Sequence, residues 1–150
     1  MLPLVIIAQI YRTRWSLFAC TVYGVLQLVL GLSNLRGVGI ITLIGAVLFD
    51  YIVAYGVVGF AGLTAKMKNK PVAAALGAVI GLTLRFLCHF LSGWLFWSES
   101  IGSWGAVIGS VTYNATYMVP EIILTVIAAA LVWPVVSKIA GKYGLVGEEE

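Results

Sequence analysis

An all-α, polytopic helical membrane bundle is the fold class this sequence predicts, on three observations. Of its 150 residues, 61% are hydrophobic and only 10% are charged, whereas soluble domains carry roughly 25% charged residues. Its mean hydropathy is +1.05, and the apolar residues gather into about five runs separated by short polar connections. Within those runs lie four ionisable side chains, Asp50, Arg85, His89 and Glu121. Hydrocarbon cannot solvate a charge, so such residues normally face a bundle interior or a water-filled cavity.

The first run, Met1 to Tyr11, is about 11 residues, or roughly 16 Å as a helix, too short to cross a bilayer alone. The next four are each long enough for a span, which takes about 20 residues. They are Trp15 to Leu32, Val38 to Leu63, Pro71 to Trp97 and Trp104 to Val136. The last contains Pro120 and Pro134, and a kink or an oblique start is expected there. Gly77-x-x-x-Gly81 and Gly105-x-x-x-Gly109 would allow close helix approach, although such spacings also arise by chance in glycine-rich spans. No soluble domain, linker or convincing repeat interrupts the pattern, so residues 1–150 read as one transmembrane domain.

Basic residues mark the sides of the membrane. The connections carry, in turn, Arg12 and Arg14, then Arg36 alone, then Lys66, Lys68 and Lys70, then none in SESIGS, and finally Lys138 and Lys142 in the tail. This rich–poor alternation places the C-terminus in the cytoplasm and Met1 outside. The start, MLPLVIIAQIY, lacks the basic n-region and small-residue cleavage site of a signal peptide. An external start on a stunted helix leads to the expectation of at least one further helix upstream. The net charge of +3 is no nucleic-acid signal, because the basic residues are confined to these connections. The partner it implies is the lipid bilayer.

Near the intramembrane charges lie Tyr51, Tyr55, Trp94, Trp97, Tyr113, Asn114 and Tyr117, and together they predict a polar, aromatic-lined pocket. Asp50 can offset a cationic ligand, bind a proton, or pair structurally with Arg85. Arg85 and His89 are spaced i, i+4 and share a helix face. Arg85 is expected to orient carboxylates rather than touch a cation. His89 can donate, accept or stack, but a lone histidine is more often a satisfied core residue. Ser110, Asn114, Tyr117 and Glu121 follow at spacings of four, three and four, tracing one polar stripe that could be interhelical glue or a pocket wall. Trp94, Trp97 and Trp104 flank the charge-poor connection, where an interfacial belt is expected in any case. Cys20 and Cys88 are isolated, and with a single histidine no metal or redox site is expected. No G-x-S-x-G, H-E-x-x-H or P-loop is present, so neither an enzyme nor an ATPase is predicted.

The stretches MLPLVIIA, VLFDYIVAYGVVGFAGL, RFLCHFLSGWLFW and YNATYMVPE resemble, in order and over nearly the whole chain, the proton-independent thiamine transporters of Gram-positive bacteria. These are the substrate-binding S components of energy-coupling-factor transporters. The resemblance implies six transmembrane helices with both termini inside, of which this chain begins at the second. The family's first helix carries the small-residue face that docks on the transmembrane coupling subunit. Ala61-x-x-x-Ala65 has that spacing, but in another helix. The ligand so implied is thiamine, a permanent thiazolium cation joined to a flat, hydrogen-bonding aminopyrimidine. The implied contacts are Asp50 neutralising the cation, Tyr51 beside it, Trp97 stacking on a ring, and His89 and Asn114 orienting polar atoms. Arg85, Tyr117 and Glu121 fall in the same motifs and are expected to support the site from behind. No cofactor is implied. The implied partners are a coupling subunit and two ATPases, in the bacterial plasma membrane. Two rival readings are a proton-coupled transporter of a small cation, using Asp50 and Glu121 as a relay, and a non-transporting membrane assembly protein.

Overall fold

The computed structural model describes residues 1–11, 13–98 and 102–145. Its described residues form five helical segments: α1 (Leu2–Ile10), α2 (Thr13–Gly31, with a 3-10 turn Leu32–Leu35), α3 (Ile40–Thr64), α4 (Lys70–Leu95) and α5 (Trp104–Lys142). The last four are long and apolar enough to cross a membrane. The protein is a multi-pass helical membrane protein. Each of the four long runs found in the sequence is a helix. The first run is the nine-residue α1, too short to span. Helix α5 continues through Pro120 and Pro134 for 39 residues.

Local chemistry sets the starts of α4 and α5. Asn69 Oδ1 accepts from the Val72 N–H at 3.3 Å, and Pro71 fits the first turn, where its missing N–H costs nothing. Ser103 Oγ accepts from the Ala106 N–H at 3.1 Å. Caps of this kind contribute about 1 kcal/mol each. They define the two ends of the bundle: a basic end at Lys66–Lys70, and an opposite end where α4 stops and α5 begins.

Helix α3 is not uniform. It starts as α-helix, widens to a π-helical stretch over Val47–Ile52, regains one α turn, and tightens to 3-10 over Val57–Thr64. A 3-10 run of eight residues is uncommon, because its hydrogen bonds are poorer than those of an α-helix. The sequence explains it. A 3-10 helix has three residues per turn, so Gly56, Gly59 and Gly62 stack on one edge. A Cβ on Gly59 would come within 2.6 Å of Leu17 N, and one on Gly62 within 2.5 Å of Ala8 O. That edge therefore presses directly on α2 and α1. The next edge, Val58, Ala61 and Thr64, is buried and faces α4, where a Cβ on Gly81 would meet Val58 O at 2.9 Å. Without a hydrophobic force between helices in lipid, such backbone proximity is what holds a bundle together.

Of the two Gly-x-x-x-Gly spacings, only the first is a packing seam. Gly77 and Gly81, on α4, pack against α3, whereas nothing lies within 4 Å of a Cβ on Gly109. The core at the basic end follows from this: Val5, Ala8, Val58, Ala61, Ala74, Ala78 and Leu82 are fully buried, joined by Trp133 of α5. Gln9 is buried with them. Its Nε2 donates to Ala61 O at 2.6 Å and to Thr64 Oγ1 at 2.9 Å, while the Thr64 hydroxyl donates to Ala73 O at 2.6 Å.

Candidate functional site

At the opposite end the helices diverge around a cavity of about 700 Å³, within the range of about 300–1,000 Å³ typical of small-molecule sites. Helix α3 contributes Asp50, Tyr51 and Tyr55 to its wall, α4 contributes His89 and Gly93 with Trp97 just beyond its end, and α5 contributes Tyr113, Asn114 and Tyr117. Asn34 and Leu35, from the turn closing α2, complete it. Asp50 and Tyr51 both sit in the π-helical stretch of α3. Such a stretch carries one extra residue per turn and so re-aims the side chains around it; π-bulges are frequent at functional sites for that reason.

Both oxygens of Asp50 are engaged. Its Oδ1 accepts from His89 Nδ1 at 3.0 Å, and its Oδ2 accepts from the Trp97 indole N–H at 3.1 Å. Three elements are thereby tied at one carboxylate: the wide turn of α3, the body of α4 and the residue beyond its C-terminus. His89 and Asp50 remain 12% and 20% exposed at their side chains, open to the cavity. With Nδ1 directed at Asp50, His89 Nε2 is buried and has no protein partner.

Arg85 does not pair with Asp50. Although it shares a face with His89, it lies a turn deeper, where its Nη1 donates to Glu121 Oε2 at 2.6 Å and its Nη2 donates to the Tyr55 hydroxyl at 3.3 Å. The guanidinium also lies 4.7 Å from the centre of the Tyr55 ring. The two carboxylates thus belong to separate pairs, Asp50–His89 facing the cavity and Glu121–Arg85 behind it. Arg85 and Glu121 are not lining residues, but through Tyr55 they hold part of the wall.

The α5 stripe divides between the two roles the sequence leaves open. Ser110 Oγ donates to Phe90 O at 2.7 Å and so binds α5 to α4. Asn114 Nδ2 donates to Ser110 O at 2.9 Å and to His89 O at 3.3 Å, while its Oδ1 accepts from the Tyr117 hydroxyl at 2.5 Å. Asn114 and Tyr117 line the cavity as well, so they are glue and wall together. Among the tryptophans, Trp97 alone lines the cavity. Trp94 stacks on Phe90 at 6.0 Å, and Trp104 is 81% exposed.

Asn34, Leu35 and Gly93 join the wall without being among the residues the sequence points to. Asn34 and Leu35 reach the site only through tertiary packing, and no sequence spacing signals that. Gly93 had a local signal, being four residues after His89 on the same face. Among the described residues, no group of three or more His, Cys, Asp or Glu side chains comes together to hold a metal ion.

The sequence profile of the thiamine transporter protein family (Thia_YuaJ) matches residues 1–140. The thiamine transporter ThiT of Bacillus subtilis (strain 168) is 33% identical over 144 residues, covering 89% of this chain and 72% of that protein. No solved structure matches the chain significantly. A match that spans the four membrane helices and every residue of the cavity settles the relationship: the chain belongs to the thiamine transporter family.

Proposed function

We propose that the cavity binds thiamine from the outer face of a bacterial plasma membrane, and that the chain acts as the substrate-binding S component of an energy-coupling-factor transporter. The observation that carries this reading is the Asp50 carboxylate, held by His89 and Trp97 on the wall of an aromatic cavity. Among the described residues no Lys or Arg pairs with the half-buried Asp50 carboxylate, and a permanent cation such as thiazolium would balance its charge. An indole beside it adds roughly 0.5–2 kcal/mol of cation–π attraction. The flat aminopyrimidine needs hydrogen-bonding edges, and the Asn114–Tyr117 pair on the wall offers them. Tyr51 and Tyr55 supply further ring surface. Arg85 and Glu121 keep the rear wall in place.

Transport then needs energy from elsewhere, because the sequence carries no Walker motif. A transmembrane coupling subunit and two ATPases would supply it, with the C-terminus of this chain in the cytoplasm according to its basic connections. The rival relay through Asp50 and Glu121 is disfavoured by their separate partners, His89 and Arg85.

Titration of the purified chain with thiamine, followed by tryptophan fluorescence, tests the ligand. Saturable quenching is expected, because Trp97 borders the cavity. A folded protein with no saturable response would remove thiamine from consideration. Uptake measured in cells with the proton gradient collapsed, and separately with ATP depleted, tests the energy source. Loss only on ATP depletion is expected, and loss only on collapse of the gradient would favour the relay.

A further inference from the structure

Trp97 occupies an unusual position for a binding residue. Helix α4 ends at Leu95, and Phe96, with φ −121° and ψ −24°, has already left the helix. Trp97 therefore stands beyond the last helical turn and is 45% exposed. Its indole must still be aimed at Asp50 to within hydrogen-bond tolerance. The preceding residue explains how. The Phe96 N–H donates to Ser92 O at 2.9 Å, and the Phe96 carbonyl accepts from Thr42 Oγ1, on α3, at 2.9 Å. The Phe96 ring lies directly over Gly45: a Cβ there would be 2.5 Å from ring atoms Cδ1 and Cδ2. The same ring meets Phe49 at a centroid distance of 5.7 Å.

Thr42, Gly45 and Phe49 are spaced i, i+3 and i+7, one face of a helix. Asp50, the next residue, receives the Trp97 indole. We infer that Thr42, Gly45 and Phe49 form a seat for Phe96 that fixes the orientation of Trp97 at the cavity, making them positioning residues for ligand binding. The seat works by three distinct means. A hydroxyl grips the backbone, a missing side chain makes room for a ring, and an aromatic neighbour closes over it. None of the three lines the cavity, and the contact each makes is with Phe96, the residue before Trp97. The inference rests on the reading of the cavity as a thiamine site.

The test is a double-mutant cycle on the full chain, with two readouts. Thr42→Val keeps the shape of the side chain and removes the hydroxyl, while Thr42→Ser restores it. The first readout needs no ligand. Trp97 emission is taken as the difference between each protein and its Trp97→Ala counterpart, and its quenching by acrylamide is measured. Thr42→Val should raise that quenching, and Thr42→Ser should return it to the original level. The second readout is thiamine affinity. Thr42→Val should weaken it by about three- to tenfold, the range expected for one lost hydrogen bond. In a Trp97→Ala background the same change should alter affinity by less than about twofold, because a shared pathway makes the losses non-additive. Gly45→Ala should behave like Thr42→Val and replaces it if the valine variant does not fold. Additive losses, or unchanged Trp97 quenching in both variants, overturn the seat. If the unmodified chain binds no thiamine, the functional reading fails by itself, and the acrylamide readout decides the seat alone.

Discussion

Helices α3 and α4 meet along their whole length, but in two different ways. Toward the basic end they touch backbone to backbone. Gly81 approaches Val58 O, Gly77 approaches Ala61 O, and the small residues around them are fully buried. Toward the other end the same helices are joined by side chains of α3, the Thr42 hydroxyl to the Phe96 carbonyl and Asp50 to His89 and Trp97, and a cavity opens beside them. The residue types account for the change. Gly77 and Gly81 of α4 bare its backbone to the Val58, Ala61 and Thr64 edge of the 3-10 helix, whereas at the other end the π-helical stretch carries Asp50 and Tyr51 into the cavity wall. One helix pair is thus a rigid clamp at one end and, at the other, borders the cavity proposed to bind ligand. Changes at the first end should act on folding, and changes at the second on binding.

The largest expected effect is at the clamp. Gly77→Leu places side-chain atoms where Ala61 O, Gln9 and Thr64 already stand. A cost of more than about 3 kcal/mol is expected, at the high end of overpacking penalties. Detergent-solubilised yield and melting temperature should both fall sharply. A normal melting curve would mean the clamp is looser than described. Next is Glu121→Ala, which strands Arg85. Removing one member of a buried pair costs about 3–5 kcal/mol. Glu121 keeps 28% side-chain exposure, so about 2–3 kcal/mol is expected, read as a lower melting temperature. If melting is unchanged but thiamine affinity collapses, Glu121 belongs to the ligand rather than to the wall.

The two remaining effects should spare folding. Asp50→Asn should weaken thiamine binding more than tenfold, or about 1.4 kcal/mol, with little change in melting. A neutral pyrimidine fragment should lose far less. Equal losses for both ligands would recast Asp50 as a structural partner of His89 and Trp97. The smallest is Trp97→Ala, expected to weaken thiamine binding by roughly three- to thirtyfold, against less than about twofold for the exposed Trp104→Ala. If both leave affinity intact, no indole forms the cavity wall.

The contrast between the two ends was only partly legible in the sequence. Hydropathy located the four long helices to within a few residues, because length and apolarity are properties of the run itself. The gathering of Asp50, His89, Trp97 and Asn114 followed from the rarity of polar groups in hydrocarbon. The pairing of charges was not legible. The i, i+4 spacing of Arg85 and His89 says that they share a face, but not which carboxylate each will meet. That depends on the offset between helices and on the π-helical stretch of α3, neither of which is a local property. Buried Gln9 was missed because α1 reads as an apolar run, and its partners, Ala61 O and Thr64, lie in a helix about fifty residues away. The clamp did have a signal, the Gly77-x-x-x-Gly81 spacing, while glycine at positions 56, 59 and 62, with the period of a 3-10 helix, marked the edge that packs on α2 and α1.

The twofold anchorage of Asp50 bears on rates. A free carboxylate side chain samples several rotamers, and fixing one at the moment of association costs entropy. Here His89 and Trp97 hold both oxygens already, so that ordering belongs to folding rather than to encounter. On the proposed reading, a cation arriving in the cavity would meet a charge whose direction is set, with few protein torsions left to freeze. Such preorganisation chiefly lengthens the residence time of a complex, since dissociation rates vary far more than association rates among related complexes. Loosening either anchor should therefore be felt first as faster release.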